Sequence, residues 1–329
     1  MTAPTRRKNL QRKKLIRAVF ALVLFLALFW YAYQNDLLGP ELFEPPTQAD
    51  GSSFPQTNSE QLAVYFLDVG QGDSALVRIP NGDEPFDMLI DTGEYAYADG
   101  LTETLQALEV DRIDALICTH QHTDHMGCMA RIVQRFEIGE IYMPKLPSDV
   151  VPTTSADEAL LNAMKEKGLR ANALYRGAEI DCPAGASIEV LAPERDADWD
   201  DLNNYSGVLR LSFGDTVFLF TGDAESASEK LMLQSGEPLF ADVLKCGHHG
   251  SRTSTSAKFL KAVAPDYAVI SCGENNSYGH PHDEVLEKLD KLGVEIFRTD
   301  QDGTILAVSD GETIRFTVGL PSVREKEFN

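Results

Sequence analysis

The sequence has few cysteines and few histidines for its length. Five cysteines occur in 329 residues, none in a Cys-x-x-Cys pair, and the odd number leaves at least one thiol unpaired within the chain. This excludes a scaffold built on disulfides, because such scaffolds use dense, even sets of cysteines. The seven histidines all fall in three short clusters rather than being scattered along the chain.

Basic residues are scarce beyond the first 17 positions. Residues 1–17 contain seven basic residues and no acidic one, so the remainder carries 22 basic against 51 acidic residues, a net charge of −29. Such a surface repels polyanions at long range. We therefore expect no stable binding of long DNA, although a cleft made positive by bound metal could still admit a phosphodiester.

One long hydrophobic run is present, AVFALVLFLALFWYAY at residues 18–33. With Leu15 and Ile16 it reaches the ~17–25 residues that a bilayer-spanning helix needs. The preceding basic cluster favours a cytoplasmic N-terminus. The sequence thus predicts a cytoplasmic tail at 1–17, a single membrane anchor at 18–34, an extracytoplasmic linker at 35–60 and a globular domain at 61–329. The alternative is a cleaved signal peptide and a secreted domain, although no clear small-x-small cleavage site follows the run.

Strand-like and helix-like runs alternate from Leu62 onward. Buried strands are predicted at Leu62–Val69 and Ile113–Thr119, and helices at 125–136 and Asp283–Leu292. Strands grouped in hairpins and alternating with helices predict an α/β domain of two mixed sheets covered by helices.

The first histidine cluster is the densest set of possible metal ligands. It reads His-x-His-x-Asp-His, with His120, His122, Asp124 and His125 at the end of a predicted strand. Imidazoles and carboxylates in this density are suited to one or two transition-metal ions. Two further predicted strand ends supply partners, at Asp223 and at the pair His248 and His249.

The motif His-x-His-x-Asp-His-x-Gly at 120–127 resembles that of the metallo-β-lactamase superfamily. More closely, the chain resembles the extracytoplasmic ComEC-type metallo-hydrolase domains of DNA uptake over about residues 61–318. The matching stretches are FLDVGQGDS at 66–74, LIDTG at 89–93, LFTGD at 219–223, HHGS at 248–251 and NSYGHPH at 276–282. The resemblance implies a four-layer αβ/βα sandwich with metal ions in the cleft between the sheet edges.

The resemblance also implies roles for the metal-site residues. His120 and His122 would bind one ion, Asp124 and His125 with His248 or His249 the other, and Asp223 would bridge the two. Zinc is the first expectation and manganese the second; the sequence leaves open whether one or two ions bind. It also leaves open which residue of the pair His248 and His249 is the ligand.

Other residues are assigned to the surroundings of the metal site. Asp124 would also orient a water or move a proton as a catalytic residue, and His280 would face the substrate. Asp91 would orient a ligand histidine or cap a turn. The remaining candidates for ligand-supporting or substrate-contacting groups are Gln71, Asn204, Ser251, Lys245, Arg252, Arg298 and His282.

The chain departs from the superfamily pattern at two places. Cys128 stands where a second glycine usually follows the motif. No histidine occurs from 126 to 247, so the additional metal-binding histidine of the superfamily is missing, and the local stretch reads Asn203-Asn204-Tyr205-Ser206. Together with the ComEC-type motifs, this absence points away from β-lactamase activity.

The resulting expectation is a membrane-anchored, extracytoplasmic, metal-dependent phosphodiesterase or nuclease that uses a metal-activated water. A second enzymatic possibility is hydrolysis of phosphocholine or another small ester or lactone. A possibility from another class is a non-catalytic, metal-stabilised binding module of an uptake or envelope complex. The oligomeric state stays open.

Overall fold

The computed structural model describes residues 45–325. The predicted basic tail and the predicted membrane helix at 18–34 lie outside these residues, as does the first part of the predicted linker. Within the described range, none of the helices combines the length and the apolar character needed to cross a bilayer.

Strands and helices alternate through the described residues. The strands are β1 (Thr47–Gln48), β2 (Leu62–Phe66), β3 (Ala75–Ile79), β4 (Phe86–Ile90), β5 (Arg112–Ile117), β6 (Glu137–Pro144), β7 (Ala171–Leu174), β8 (Ala186–Ala192), β9 (Val208–Phe213), β10 (Thr216–Phe220), β11 (Val243–Lys245), β12 (Tyr267–Ile270), β13 (Glu295–Arg298), β14 (Thr304–Ser309) and β15 (Ile314–Leu320). The helices are α1 (Ala98–Ala107), α2 (Thr123–Met126), α3 (Met129–Arg135), α4 (Ser155–Lys167), α5 (Ser226–Ser235), α6 (Ala257–Val263), α7 (Asp283–Asp290) and α8 (Thr299–Asp302). Short 3-10 helices cover Tyr95–Tyr97 and Leu202–Tyr205, and Gly247–Gly250 forms a turn with left-handed residues at its centre.

The strands form two mixed sheets. The larger has the order β1-β15-β14-β2-β3-β4-β5-β6-β7 and the smaller the order β13-β12-β11-β10-β9-β8. In the larger sheet β4 to β7 run parallel, and in the smaller sheet β10 to β13 do the same. The carboxyl ends of neighbouring parallel strands therefore lie at one edge of each sheet, where the loops that carry function are usually found.

Alternating side chains along each strand separate the layers. On β2, Leu62, Val64 and Phe66 point into a core that they share with residues of the smaller sheet, such as Phe218 and Val243. Successive strand residues face opposite sides, and a second core joins the other face of the larger sheet to α1, α3 and α4. A third core joins the smaller sheet to α5, α6 and α7. This order of layers is the predicted four-layer αβ/βα sandwich, which is confirmed.

Part of the segment expected to be a linker contacts the domain. Thr47 and Gln48 pair with Thr317 and Val318 on the edge of the larger sheet. Phe54 packs edge-on against Tyr65, with ring centroids 6.1 Å apart. The sequence does not predict this attachment, because the segment is rich in proline, serine and acidic residues and a strand of two residues shows no alternation of polar and apolar side chains.

The helix predicted at 125–136 is divided in two. Helix α2 ends at Met126 and α3 begins at Met129. Between them Gly127 touches backbone so closely that an added Cβ would lie 2.6 Å from the amide nitrogen of Tyr95. The close approach of a second loop thus separates a metal-site turn from a core helix, and apolar spacing alone does not reveal it. Strands β7 and β13 were also not predicted.

Candidate metal centre

Two imidazoles at the end of β5 turn toward one point. His120 is buried and His122 precedes α2, as expected when a strand leads directly into a helix. Nε2 of His120 lies 2.9 Å from Nδ1 of His122. Two ring nitrogens this close can serve as adjacent ligands of one ion. His122 nevertheless lies outside the donor sets whose ligand atoms are within 4.8 Å of one another. One of these sets groups His120 with His125 and Asp223.

The Asp223 carboxylate lies at the centre of the cluster. It follows β10 after Gly222, whose φ of +49° lets the chain turn where a side chain would be strained. Its Oδ1 is 3.2 Å from Nε2 of His125. Its Oδ2 is 3.6 Å from Nε2 of His249, 3.8 Å from that of His248 and 3.9 Å from that of His120.

Both histidines after β11 point their Nε2 atoms at this carboxylate. His248 and His249 have left-handed backbone conformations, with φ of 51° and 52°. Such conformations cost of order 1–3 kcal/mol each for non-glycine residues and persist only where surrounding contacts impose them. These backbone conformations orient two consecutive side chains toward the same site. In a regular strand, consecutive side chains would point to opposite sides.

Each of these rings is held through its Nδ1 atom. Nδ1 of His248 lies 3.2 Å from Oε1 of Glu225 and 3.2 Å from Oγ1 of Thr253. Nδ1 of His249 lies 3.0 Å from the carbonyl oxygen of Ser271. Partners of this kind fix the tautomer and leave the Nε2 lone pair free for a ligand, as is usual for metal-binding histidines. The sequence left the choice between the two histidines open, and the structure places both at Asp223.

His125 and Asp124 complete the inner cluster. Oδ2 of Asp91 lies 2.8 Å from Nδ1 of His125 and also accepts a hydrogen bond from the Thr119 hydroxyl. Asp91 thus lies where it can orient His125, one of its two predicted roles. Oδ2 of Asp124 is 3.4 Å from Nε2 of His249.

His280 borders the cluster on its outer side. Its ring centroid is 5.5 Å from that of His248 and 6.1 Å from that of His249. Its Nδ1 is buried without a hydrogen-bond partner among the described residues. Burial, reinforced by the neighbouring imidazoles, lowers the pKa of His280 to about 4. The ring is therefore neutral at physiological pH.

Several predicted outer residues have structural partners instead of facing the centre. The side-chain oxygen of Gln71 accepts a hydrogen bond from Gly273, and that of Asn204 accepts one from Ser228. Lys245 is buried and paired with Asp73 at 2.7 Å. The others are engaged as well: Ser251 with Thr253, His282 with the Arg252 amide, Arg298 with Asp300, and Arg252 with Glu284 at 3.9 Å.

Two acidic residues near the centre were not predicted. Asp73 is buried between Lys245 and His249, with its Oδ1 3.3 Å from Nδ1 of His249. Glu225 supports His248. Asp73 lies within the stretch FLDVGQGDS at 66–74, where closely spaced glycines before an acid could have signalled a loop packed against the site. Glu225 carries no such signal.

Charge interactions dominate the electrostatics of the cluster. Burial opposes the charged form of His249, but Asp223 and Asp73 raise its pKa to about 10. The pKa of His125 is likewise raised well above its usual value by Asp223 and Asp91, against burial. Burial would raise the pKa of Asp124, yet His249 and His125 lower it to about 2. The pKa of Asp223 is held well below its usual value, against burial, by His125 and His249. In the metal-free protein the carboxylates are therefore balanced by protonated imidazoles, which would lose a proton on binding an ion.

The donor atoms fit divalent ions. Nε2 of His125, Nε2 of His249 and Oδ1 of Asp223 are buried without hydrogen-bond partners among the described residues. Buried polar atoms without partners are rare in folded proteins and call for an explanation. Four overlapping histidine and carboxylate sets bring their ligand atoms within 4.8 Å of one another. Nitrogen and oxygen donors without thiolate suit zinc or manganese.

A sequence profile described as the metallo-β-lactamase superfamily matches residues 67–274. The chain belongs to the metallo-β-lactamase superfamily. The range of the match contains the whole inner cluster from His120 to His249. The fold of this superfamily implies one or two divalent ions, in agreement with the donor sets.

Within the superfamily, the chain is similar to three ComEC-type competence proteins. It is 34% identical over 263 residues to ComE operon protein 3 of Bacillus subtilis, covering 75% of this chain and 33% of that protein. It is 33% identical to competence protein ComA of Neisseria gonorrhoeae, over 74% of this chain and 32% of that protein. It is 29% identical to recombination protein 2 of Haemophilus influenzae, over 77% of this chain and 29% of that protein. The chain thus spans about a third of the length of these relatives.

Proposed function

We propose that this chain is a metal-dependent phosphodiesterase. The observation that carries the proposal is the convergence of unpartnered nitrogen and carboxylate donors on Asp223, at the edge where parallel strands of both sheets end. Similarity to competence proteins supports a phosphodiester as the bond that is cleaved. The acidic surface favours short substrates over long DNA.

The chain offers two ligand groups around a shared carboxylate. His120, His122 and His248 would hold one ion, so that His248 takes the place of the histidine missing between 126 and 247. Asp124, His125 and His249 would hold the other, and Asp223 would contact both. When bound, divalent ions supply Lewis-acid polarisation of the phosphoryl group and activation of water near neutral pH.

The protein's own groups position this chemistry. Asp91, Glu225 and the Ser271 carbonyl hold the Nδ1 atoms of His125, His248 and His249 and so orient their Nε2 atoms. His280, neutral and with an unpartnered Nδ1, can donate or accept one hydrogen bond at an oxygen of the substrate. Asp124 is ionised at neutral pH and can orient a water or accept its proton.

The test combines metal content with a substrate panel. The full chain is purified, its metal content is measured, and hydrolysis of bis-p-nitrophenyl phosphate, short single-stranded DNA, a phosphocholine ester and a lactone is followed. We expect phosphodiester hydrolysis that His120→Ala and Asp223→Ala abolish together with metal binding. Glu287→Gln is the control, because Glu287 is exposed and paired with Lys291 on the surface of α7. Full metal loading without hydrolysis of bis-p-nitrophenyl phosphate or of short single-stranded DNA would refute the proposal.

A second candidate function is hydrolysis of a small ester, and one structural observation supports it. A cavity of about 430 Å³ beside the centre is lined by acidic residues, among them Asp68, Glu94 and Glu274. Burial, followed by repulsion from Asp124, raises the pKa of Glu94. Such a wall favours a small or cationic substrate. Activity on the phosphocholine ester alone would support this second candidate, and metal loading without any hydrolysis would favour a binding module.

We further propose that the domain lies outside the cytoplasmic membrane, held by residues 18–34. The support is the basic tail before the apolar run in the sequence. Reporter proteins fused after residue 60 test the orientation. A reporter active in the cytoplasm but not outside it would contradict this location, and a shortened mature chain would indicate cleavage.

A further inference from the structure

Tyr278 is a large aromatic residue exposed at the rim of the metal centre, with 66% of its surface accessible. Its ring stacks on His280, with centroids 5.6 Å apart and an interplanar angle of 19°. The His280 ring is in turn stacked with His249 at 6.1 Å and 27°. Three nearly parallel rings therefore lead from the surface to a ligand of the centre.

The loop that carries Tyr278 is built to hold one conformation. The Asn276 side chain donates to the carbonyl oxygens of Gly273 and His280 and accepts a hydrogen bond from the His280 amide. Asn275 and Gly279 have φ values of 53° and 72°, so the turn bends back on itself on both sides of Asn276. A ring fixed in this way loses little conformational entropy when a ligand stacks on it.

The described basic residues near the centre give little support to further phosphates. Lys245 is paired with buried Asp73 and Arg298 with Asp300. Arg252 is exposed and lies near Glu284. Apart from Arg252, whose exposed pair is weak, these groups are already neutralised, and an exposed ring beside the centre can supply binding energy from another part of the substrate.

We propose that Tyr278 is a stacking platform for a nucleobase adjoining the scissile phosphodiester, so that the substrates are short nucleotide phosphodiesters. This inference rests on the phosphodiesterase function proposed above. Stacking of a base on an aromatic side chain tolerates every base, because each base has a π-face. Replacing Tyr278 by alanine should lower kcat/KM for a dinucleotide about tenfold or more, chiefly through KM.

The test compares a dinucleotide with its abasic analogue. The assays use the metal-loaded full chain and three variants, Tyr278→Ala, Tyr278→Phe and Phe240→Ala. The substrates are thymidylyl-thymidine and its abasic analogue, which lacks the bases that flank the scissile bond. Phe240 is the matched control, since it is 48% exposed and precedes β11, whereas the centre follows that strand. We expect Tyr278→Ala to slow only the dinucleotide, and Tyr278→Phe and Phe240→Ala to stay within about twofold of the wild type.

Other results would overturn the inference. Equal losses on both substrates in Tyr278→Ala would indicate a general structural role for the loop. No loss on any substrate in Tyr278→Ala would exclude a nucleobase on this ring. p-Nitrophenyl phosphocholine serves as a third substrate, and a loss confined to it would exclude a nucleobase and indicate that the ring binds a cationic group.

A binding measurement separates this inference from the proposed function. If the wild type cleaves no phosphodiester, the function fails, but binding of thymidine 5′-monophosphate and of deoxyribose 5-phosphate can still be compared by calorimetry. A platform predicts tighter binding of the nucleotide, and loss of that difference in Tyr278→Ala. Equal affinity of the wild type for the two compounds would refute the platform.

Discussion

The buried pair Asp73 and Lys245 allows stability and metal binding to be separated. Oδ2 of Asp73 lies 2.7 Å from Nζ of Lys245, and its Oδ1 lies 3.3 Å from Nδ1 of His249. The Asp73→Asn substitution keeps the shape but removes the negative charge, so the buried Lys245 ammonium retains neutral acceptors such as the Cys246 carbonyl and no counter-ion at this position. Removal of one partner of a buried ion pair costs about 3–5 kcal/mol.

A double variant that combines Asp73→Asn with Lys245→Met removes the unpaired ammonium as well. The double variant should recover at least about 2 kcal/mol of the free energy of unfolding lost by Asp73→Asn, because a neutral pair replaces an unpaired ammonium. Metal affinity should not recover. Both variants lack the carboxylate beside Nδ1 of His249, and loss of such a supporting group typically costs 10–100-fold in affinity.

Two measurements on the same proteins check this reasoning. Urea unfolding in the presence of a chelator gives the stability of the metal-free chains, and competition with a chromophoric chelator gives zinc affinity. Glu287→Gln is the control, because the pair of Glu287 with Lys291 is exposed and should contribute little to stability. Normal zinc affinity in the double variant would refute a role for Asp73 at His249 and reduce it to a counter-ion of Lys245.

Three further predictions concern the centre. In the metal-free protein, the stability due to His249 is complete below its unfolded pKa of ~6.5 and decreases as pH rises to its folded pKa of about 10. The free energy of unfolding should therefore decline from pH 6 to 10, and His249→Gln should reduce this decline. His248→Ala should lower the number of bound ions or the affinity of one of them while the site at His249 persists, as metal analysis would show; unchanged stoichiometry and affinity would exclude His248 as a ligand. Gly72→Ala should destabilise the chain by about 1–3 kcal/mol, because the new Cβ would lie 2.5 Å from the Asp124 carbonyl oxygen; a thermal unfolding midpoint equal to that of the wild type would contradict the steric explanation.

The sequence was informative where residue type alone restricts chemistry. Imidazoles as dense as those of His120 to His125 have few uses besides metal binding, and strand ends place such residues at one edge of a sheet. The layers of the fold were also predictable, because alternation on strands such as β2 states which face is buried. Short elements such as β7 were missed, because four residues with little burial carry no clear period.

Contacts between distant segments could not be read from the chain. Lys245 was expected to contact phosphate because it lies in one of the motifs, yet a partner 172 positions earlier neutralises it in the interior. The joint use of His248 and His249 depends on two left-handed backbone conformations, which consecutive histidines do not suggest. Such features arise from tertiary contacts that override local preference.

The attachment of β1 to β15 covers part of an outer strand of the larger sheet. Outer strands of sheets present unpaired amides and carbonyls on which other chains can assemble, and short covering segments are one protection against this. Thr47 and Gln48 cover part of β15, and Ala49 donates a further hydrogen bond to the Val318 carbonyl. A fragment that begins at residue 61, the boundary suggested by composition, would uncover this strand and the Tyr65 surface under Phe54. The residues leading into the domain therefore protect it against aggregation through its own edge.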